Sequence, residues 1–221
     1  MSTMPPSIDD LAATLRNSTG PHFTLDPAGQ ASALALLRML AGGEPVSPAD
    51  LAATTGQAAE QATSFIDGLP GVYRDDQGSV VGFWGLTVAE LPPHQYRVGG
   101  QDLFTWCAWD PLILTPWLGG EAQVSSVDPR TGEAVGLDIA NGEIAQASHP
   151  DLTLSFKIVD EWEGDVIARF CHDVHLFTGH ESARAWTLEH PGTFPISLED
   201  GERLAQAWGR AVFPSLDPAT S

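Results

Sequence analysis

Residues 31–40 read ASALALLRML, an apolar stripe at helical spacing. Asp26-Pro27 ahead of it supplies an N-cap acceptor and a proline at the first helical position, and Gly42-Gly43 stops the run. Ser47-Pro48-Ala49-Asp50 opens a second short helix with capping-box spacing. Thr55-Gly56 turns the chain, and residues 57–66 predict a third helix ending at Gly68. Residues 1–20 read as a polar, proline-bearing and flexible lead, in which 8–15 has the makings of a short helix. At Val72 the period changes. Val72-Tyr73-Arg74, a turn at Asp75-Asp76-Gln77-Gly78 and the apolar stretch 79–88 predict a hairpin. Three helices and a hairpin are the winged-helix order, assigned here to residues 21–90.

After Leu91-Pro92-Pro93, residues 96–98 and 101–106 lead into TWCAWDP and a helix running through Trp117, ended by Gly119-Gly120. Strand-like stretches follow at 122–127, 134–139, 144–147, 153–158 and 168–174, separated by turn signals such as Asn141-Gly142. Helices at 182–189 and 198–212 close the pattern, with a tail at 216–221. The fold class expected is α+β. The winged-helix-like subdomain precedes a mixed or antiparallel β-sheet domain at 91–215 with flanking helices.

Composition narrows the function. With 43% hydrophobic residues, the 221-residue chain can bury a sizeable core. Acids outnumber bases 29 to 10, for a net charge of −19, and Lys157 is the only lysine. Such a surface repels phosphate backbones and anionic membranes. The helix at 57–66 carries no lysine or arginine, so the winged-helix unit is expected to be structural and not to bind nucleic acid. No run of eighteen apolar residues predicts a membrane span, and the N-terminus lacks the pattern of a secretory signal. The expected compartment is the cytoplasm. There, two cysteines are free thiols, metal ligands or catalytic groups before they are a staple.

Those two are Cys107 and Cys171. If the helix begins at Ala108, Cys107 sits at its N-cap, where the dipole lowers a thiol pKa, with Asp110 within reach of the sulfur. If Asp110 is itself the N-cap and Pro111 the first helical residue, the carboxylate is a structural acceptor. Local physics leaves the two even. Cys171 falls in ARFCHDVHLF, read as a strand, where an isolated thiol is ordinarily a buried small hydrophobe. In that strand Cys171, Asp173 and His175 would face one way and His172 the other, so zinc would need a further ligand such as Cys107. Trp106, Trp109 and Phe170 lie beside the thiols, with Phe104 and Phe177 near by, as core packing or as the walls of a dry apolar pocket. Phosphate loops, nucleophile elbows and zinc-protease motifs are missing from the sequence.

Taken together, WCAWD and, some sixty residues later, FCHDVHLF resemble the organomercurial (alkylmercury) lyase family, over about residues 23–212. The resemblance implies a winged-helix-like N-terminal subdomain and a catalytic domain at 91–215. It implies cleavage of the carbon–mercury bond of alkyl or aryl mercury compounds by Cys107, Asp110 and Cys171. Cys107 and Cys171 would hold the Hg(II) product, and Asp110 would carry the proton. It further implies no organic cofactor, an organomercurial substrate, and release of Hg(II) to low-molecular-weight thiols or a mercuric reductase. Thiolates suit this chemistry because Hg(II) is soft. The alternative is a thiol-based metal-binding or metal-sensing protein of the same fold without lyase activity. His172 stands where relatives often have a further cysteine, and Pro111 is the departure that bears on how Asp110 faces Cys107.

Overall fold

In the computed structural model, residues 7–159 and 165–214 are described; residues 1–6 of the lead and the tail at 216–221 lie outside them. Helix α1, Ile8–Phe23, is longer than the sequence pattern suggests, and Leu11 and Leu15 are buried against α8, Leu198–Val212. The lead is therefore packed from Ile8 onward, because two leucines one turn apart reach a helix that follows far along the chain.

The next three helices sit where their caps put them. In α2, Pro27–Leu40, Asp26 accepts the N–H of Gly29, and Leu36, Leu37 and Leu40 are fully buried. α3, Pro48–Thr55, has the Ser47/Asp50 capping box and ends at Gly56 in the left-handed conformation. α4, Ala59–Gly68, starts two residues later than expected and buries Ala62 and Ile66. Among the described residues no helix is long and apolar enough to cross a membrane.

The stretch 79–88 is two strands where one was expected. β1, Val72–Arg74, pairs with β2, Val80–Phe83, which turns back at Trp84-Gly85 into β3, Leu86–Thr87. Trp84 and Gly85 have φ of 43° and 95°, the positive pair that a two-residue hairpin turn needs. The apolar run concealed this turn, and the glycine was its available signal.

β3 then pairs with β5, Gln101–Thr105, so the hairpin joins an eight-stranded antiparallel sheet ordered β1-β2-β3-β5-β4-β6-β7-β8. Its other strands are β4, Gln95–Val98; β6, Ala122–Val127; β7, Ala134–Ala140; and β8, Glu143–Ala147. β6 alternates buried and exposed residues along its length, as a strand with one covered face should. A second antiparallel sheet orders β10, Leu176–Phe177; β9, Thr153–Lys157; and β11, Thr193–Ser197, a strand the pattern did not reveal. Helices α5, Asp110–Trp117, and α7, His180–Glu189, complete the core with α8.

The expected strand at 168–174 is absent. Helix α6, Val166–Arg169, is followed by a single 3₁₀ turn, Cys171–Asp173. Asp165 starts it by accepting the N–H groups of Ile167 and Ala168. This N-cap overrides the β-branched and aromatic composition, and with it goes the strand argument for which side each residue faces.

Candidate functional site

The segment 106–109 links β5 to α5 and is held from several directions. The Trp106 N–H donates to the Gly85 carbonyl at 2.9 Å, and the Ala108 N–H to that of Val174 at 3.1 Å. The Thr105 hydroxyl donates to the Cys107 carbonyl at 3.0 Å. The second of these bonds joins the segment of Cys107 to the turn that carries Cys171.

α5 begins at Asp110, so Cys107 does not open a helix; Trp109 occupies the N-cap position and offers no side-chain cap. Asp110 is no N-cap either. Its Oδ2 reaches back to accept the Cys107 N–H at 2.8 Å. Pro111 tolerates this arrangement because a first-turn proline gives up no intrahelical hydrogen bond. Neither expected N-cap forms, but Asp110 does stand in the first turn of α5 within reach of the Cys107 sulfur.

The 3₁₀ turn delivers Cys171 to the same place. Ligand atoms of Cys107, Asp110 and Cys171 all lie within 4.8 Å of one another, and all three residues are buried. Among the described residues this is the one such group of three or more, and it contains no histidine. The zinc reading built on the histidines therefore fails here. His172 is exposed, and His175 packs against Trp186 while its Nε2 lies 2.8 Å from the His172 carbonyl.

Burial sets the protonation of the trio. It pushes the Asp110 carboxyl up to about 7, with hydrogen bonds from Cys107 and Trp106 pulling back. It drives the Cys107 thiol well above its ordinary value, helped by donation to the Cys171 sulfur and by the Asp110 charge. Cys171 receives that hydrogen bond, which lowers its pKa, but burial and Asp110 outweigh it and leave the thiol raised. The lowered pKa expected from a helix dipole is overturned, because Cys107 lies ahead of the helix in a dry site.

A cavity of about 50 Å³ has Cys171 and Asp110 in its wall. Trp106, Trp109 and Phe170 line it. Phe104 and Phe177 do not: Phe104 borders a surface groove near Arg97, and Phe177 packs on Trp186. A larger cavity, about 540 Å³, lies along Pro116, Trp117 and Gly142 and touches none of the three reacting candidates.

Sequence reasoning missed Trp84, Gly85 and Trp208, all in the pocket wall. The case of Gly85 is steric. A Cβ there would stand 2.5 Å from Cγ of Asp110, so only glycine leaves room for the carboxylate. Its φ of 95° makes the same demand on the backbone. The Trp-Gly pair inside an apolar run was the one legible hint.

Comparison with known proteins returns one family. The model of the alkylmercury lyase family matches residues 88–210, and that of the helix-turn-helix domain of alkylmercury lyase matches residues 10–84. An alkylmercury lyase of Bacillus cereus is 36% identical over 174 residues, covering 79% of this chain and 78% of the relative. One from Pseudomonas putida is 33% identical, covering 75% and 76%. One from Streptomyces lividans is 30% identical, covering 83% and 84%. The crystal structure of the mercury-bound form of MerB2 superposes with a TM-score of 0.73 at 21% identity, covering 92% of this chain and 99% of that one, a likeness of fold.

Proposed function

The chain belongs to the alkylmercury lyase family, and from that membership we propose that it cleaves the carbon–mercury bond of organomercurials by protonolysis, with Cys107, Cys171 and Asp110 as the reacting groups. The observation that carries the assignment of residues is the juxtaposition of two buried thiols and one buried carboxyl within 4.8 Å, beside an aromatic-lined pocket.

Cys171 lines the cavity and accepts the hydrogen bond of the other thiol, so it is the sulfur that meets substrate first. It displaces a ligand from R–Hg–X, forming R–Hg–S and releasing HX. Cys107 then adds its sulfur to mercury while its proton passes to Asp110, whose carboxyl is poised near neutrality for that exchange. Two sulfur donors raise the electron density on carbon. The C–Hg bond breaks with its electron pair on carbon, and Asp110 delivers the proton there. The products are R–H and Hg(II) held by two thiolates. Two incoming thiols carry the metal away by exchange and return both cysteines to the thiol form. Low-molecular-weight thiols fill this role, with a mercuric reductase as a further acceptor. No organic cofactor enters the scheme. Two closely spaced thiols that must stay reduced fit the cytoplasm.

We assign residues 91–215 to catalysis and residues 21–90 to a supporting winged-helix-like unit. That unit serves the pocket, since Gly71, Trp84 and Gly85 stand in its wall, and α4 carries no basic residue for a phosphate backbone.

The test is incubation with phenylmercury and excess thiol, with benzene as the readout. Wild-type protein should release benzene above the thiol-only control. Cys107→Ser and Cys171→Ser should each lower turnover by at least about a hundredfold, as removal of a group that acts as part of a unit does. Mercury uptake without benzene would replace the lyase reading with a binding one.

A further inference from the structure

Tyr73, on β1 of the N-terminal unit, touches both segments that carry the thiols. Its hydroxyl donates to Asp165 Oδ1 at 2.7 Å. The same oxygen accepts the N–H groups of Ile167 at 3.0 Å and Ala168 at 3.2 Å, so this hydrogen bond pins the first turn of α6. That helix leads directly into the Cys171 turn through the bonds Phe170 N–H to Val166 and Asp173 N–H to Phe170. On the other side, the Tyr73 ring meets the Trp106 ring edge-on, with centroids 5.0 Å apart and planes at 75°. Trp106 immediately precedes Cys107.

We propose that Tyr73 is a positioning residue that clamps the Cys107 and Cys171 segments at the separation at which one mercury spans both sulfurs. This rests on the lyase reading for its consequence in turnover, but its mechanical part does not. The residue lies outside the trio and outside the wall of the cavity, and it acts through Asp165 and Trp106. The Ala108–Val174 hydrogen bond joins the two segments directly. Tyr73 joins them a second time, from an element of the helix-turn-helix unit, so that unit governs thiol geometry as well as walling the pocket.

The full-length chain is compared with Tyr73→Phe, Asp165→Asn, Asp165→Ala and the double variant Tyr73→Phe/Asp165→Ala. Three quantities are read: kcat and KM for benzene release from phenylmercury, retention of added Hg²⁺ against a competing small dithiol, and melting temperature. Tyr73→Phe keeps the ring and removes the hydrogen bond. It should lower kcat on the order of tenfold, the scale of a modest misplacement of reacting groups, with KM changed less than about twofold. It should also loosen Hg²⁺ while leaving melting near wild type. Asp165→Asn keeps a carbonyl acceptor and should retain the wild-type rate. The double variant should be no slower than Asp165→Ala, because the two residues form one device. Wild-type kcat and Hg²⁺ retention in Tyr73→Phe would overturn the proposal. So would losses that multiply in the double variant, or an Asp165→Asn as slow as Asp165→Ala. If wild-type protein releases no benzene yet Tyr73→Phe still loosens Hg²⁺, the lyase reading fails and the clamp stands.

Discussion

The Asp110 carboxylate turns back along the chain and accepts the backbone N–H of Cys107 at 2.8 Å, so acid and thiol are locked together three residues apart. A carboxylate in that position does not cap its helix, and Pro111 does not turn it away. It is buried beside two thiols with raised pKa values, and its own pKa stands near 7. Several measurable consequences come from this arrangement.

In the proposed scheme Asp110 of the free protein is the proton acceptor, since a thiol proton must leave as sulfur binds mercury. Acceptance needs the carboxylate form. The value of kcat/KM for benzene release is therefore expected to climb as pH rises through about 7. Asp110→Asn keeps the acceptor for the Cys107 N–H but cannot take a proton. It should lose about a hundredfold or more in rate and abolish the climb. A mutant profile with an unchanged limb near 7 would assign that titration to another group.

The same shift costs stability. The folded-state pKa, about 7, is raised above the ordinary 3.8 of an aspartate, so the folded chain holds a proton between those values that the unfolded chain has released. Stability from this group is full below about pH 4, falls as pH rises, and is gone above 7, a span on the order of 4 kcal/mol. Asp110→Asn stays neutral throughout. It should melt several degrees above wild type at pH 8 and at nearly the same temperature near pH 4, checked by thermal scans at the two pH values. An inactive variant that is more heat-stable would mark Asp110 as a residue kept for chemistry.

Gly85 gives Asp110 its space. In Gly85→Ala the added methyl meets the carboxylate at contact distances no side chain tolerates, and its backbone sits at a φ that alanine disfavours. Turnover should fall on the order of a hundredfold while both thiols still take up Hg²⁺, with stability lowered by about 1 kcal/mol or more. Ellman titration in denaturant and mercury stoichiometry would verify that the thiols are intact. Wild-type turnover would show that the carboxylate has room elsewhere.

Asp128 is a structural counterpart. Fully buried, it accepts from the Arg130 and Thr131 N–H groups through Oδ1, and from Thr178 and Ser182 through Oδ2, tying the β6–β7 turn to the start of α7. Burial raises its pKa, but the hydrogen bonds from Thr178, Ser182, Arg130 and Thr131 outweigh it and hold the group below its ordinary value. Its contribution is present above about pH 4 and lost as pH falls through the lowered folded value. Asp128→Ala should cost about 3 kcal/mol, or roughly 6–12 °C in Tm at pH 7, because the part-buried donors of two separate segments lose their shared acceptor. The deficit should shrink in strong acid.

Much of the fold was legible where caps and periodicity agree. Asp26-Pro27, the Ser47/Asp50 box, the alternation of β6 and the span of α8 are local physics, and the structure repeats them. Two of the departures share a cause. At 79–88 and 168–174, runs of apolar and β-branched residues read as strands, and a local device broke them: the Trp84-Gly85 turn in one, the Asp165 cap in the other.

The residue types of the site were fixed along the chain: two cysteines, an aspartate three positions beyond one of them, and tryptophans on either side. Their meeting was decided in three dimensions. Cys107 and Cys171 come together through a hydrogen bond between segments more than sixty residues apart, Ala108 to Val174. The Asp110 carboxylate faces Cys107 because a glycine from a third, separate hairpin leaves it room. Their raised pKa values arise from burial, which no local spacing encodes. Local hydrogen bonding and periodicity act within a few residues and can be read from a string. Distances between remote segments, and the loss of water around them, exist only once the sheets and helices have closed over the site.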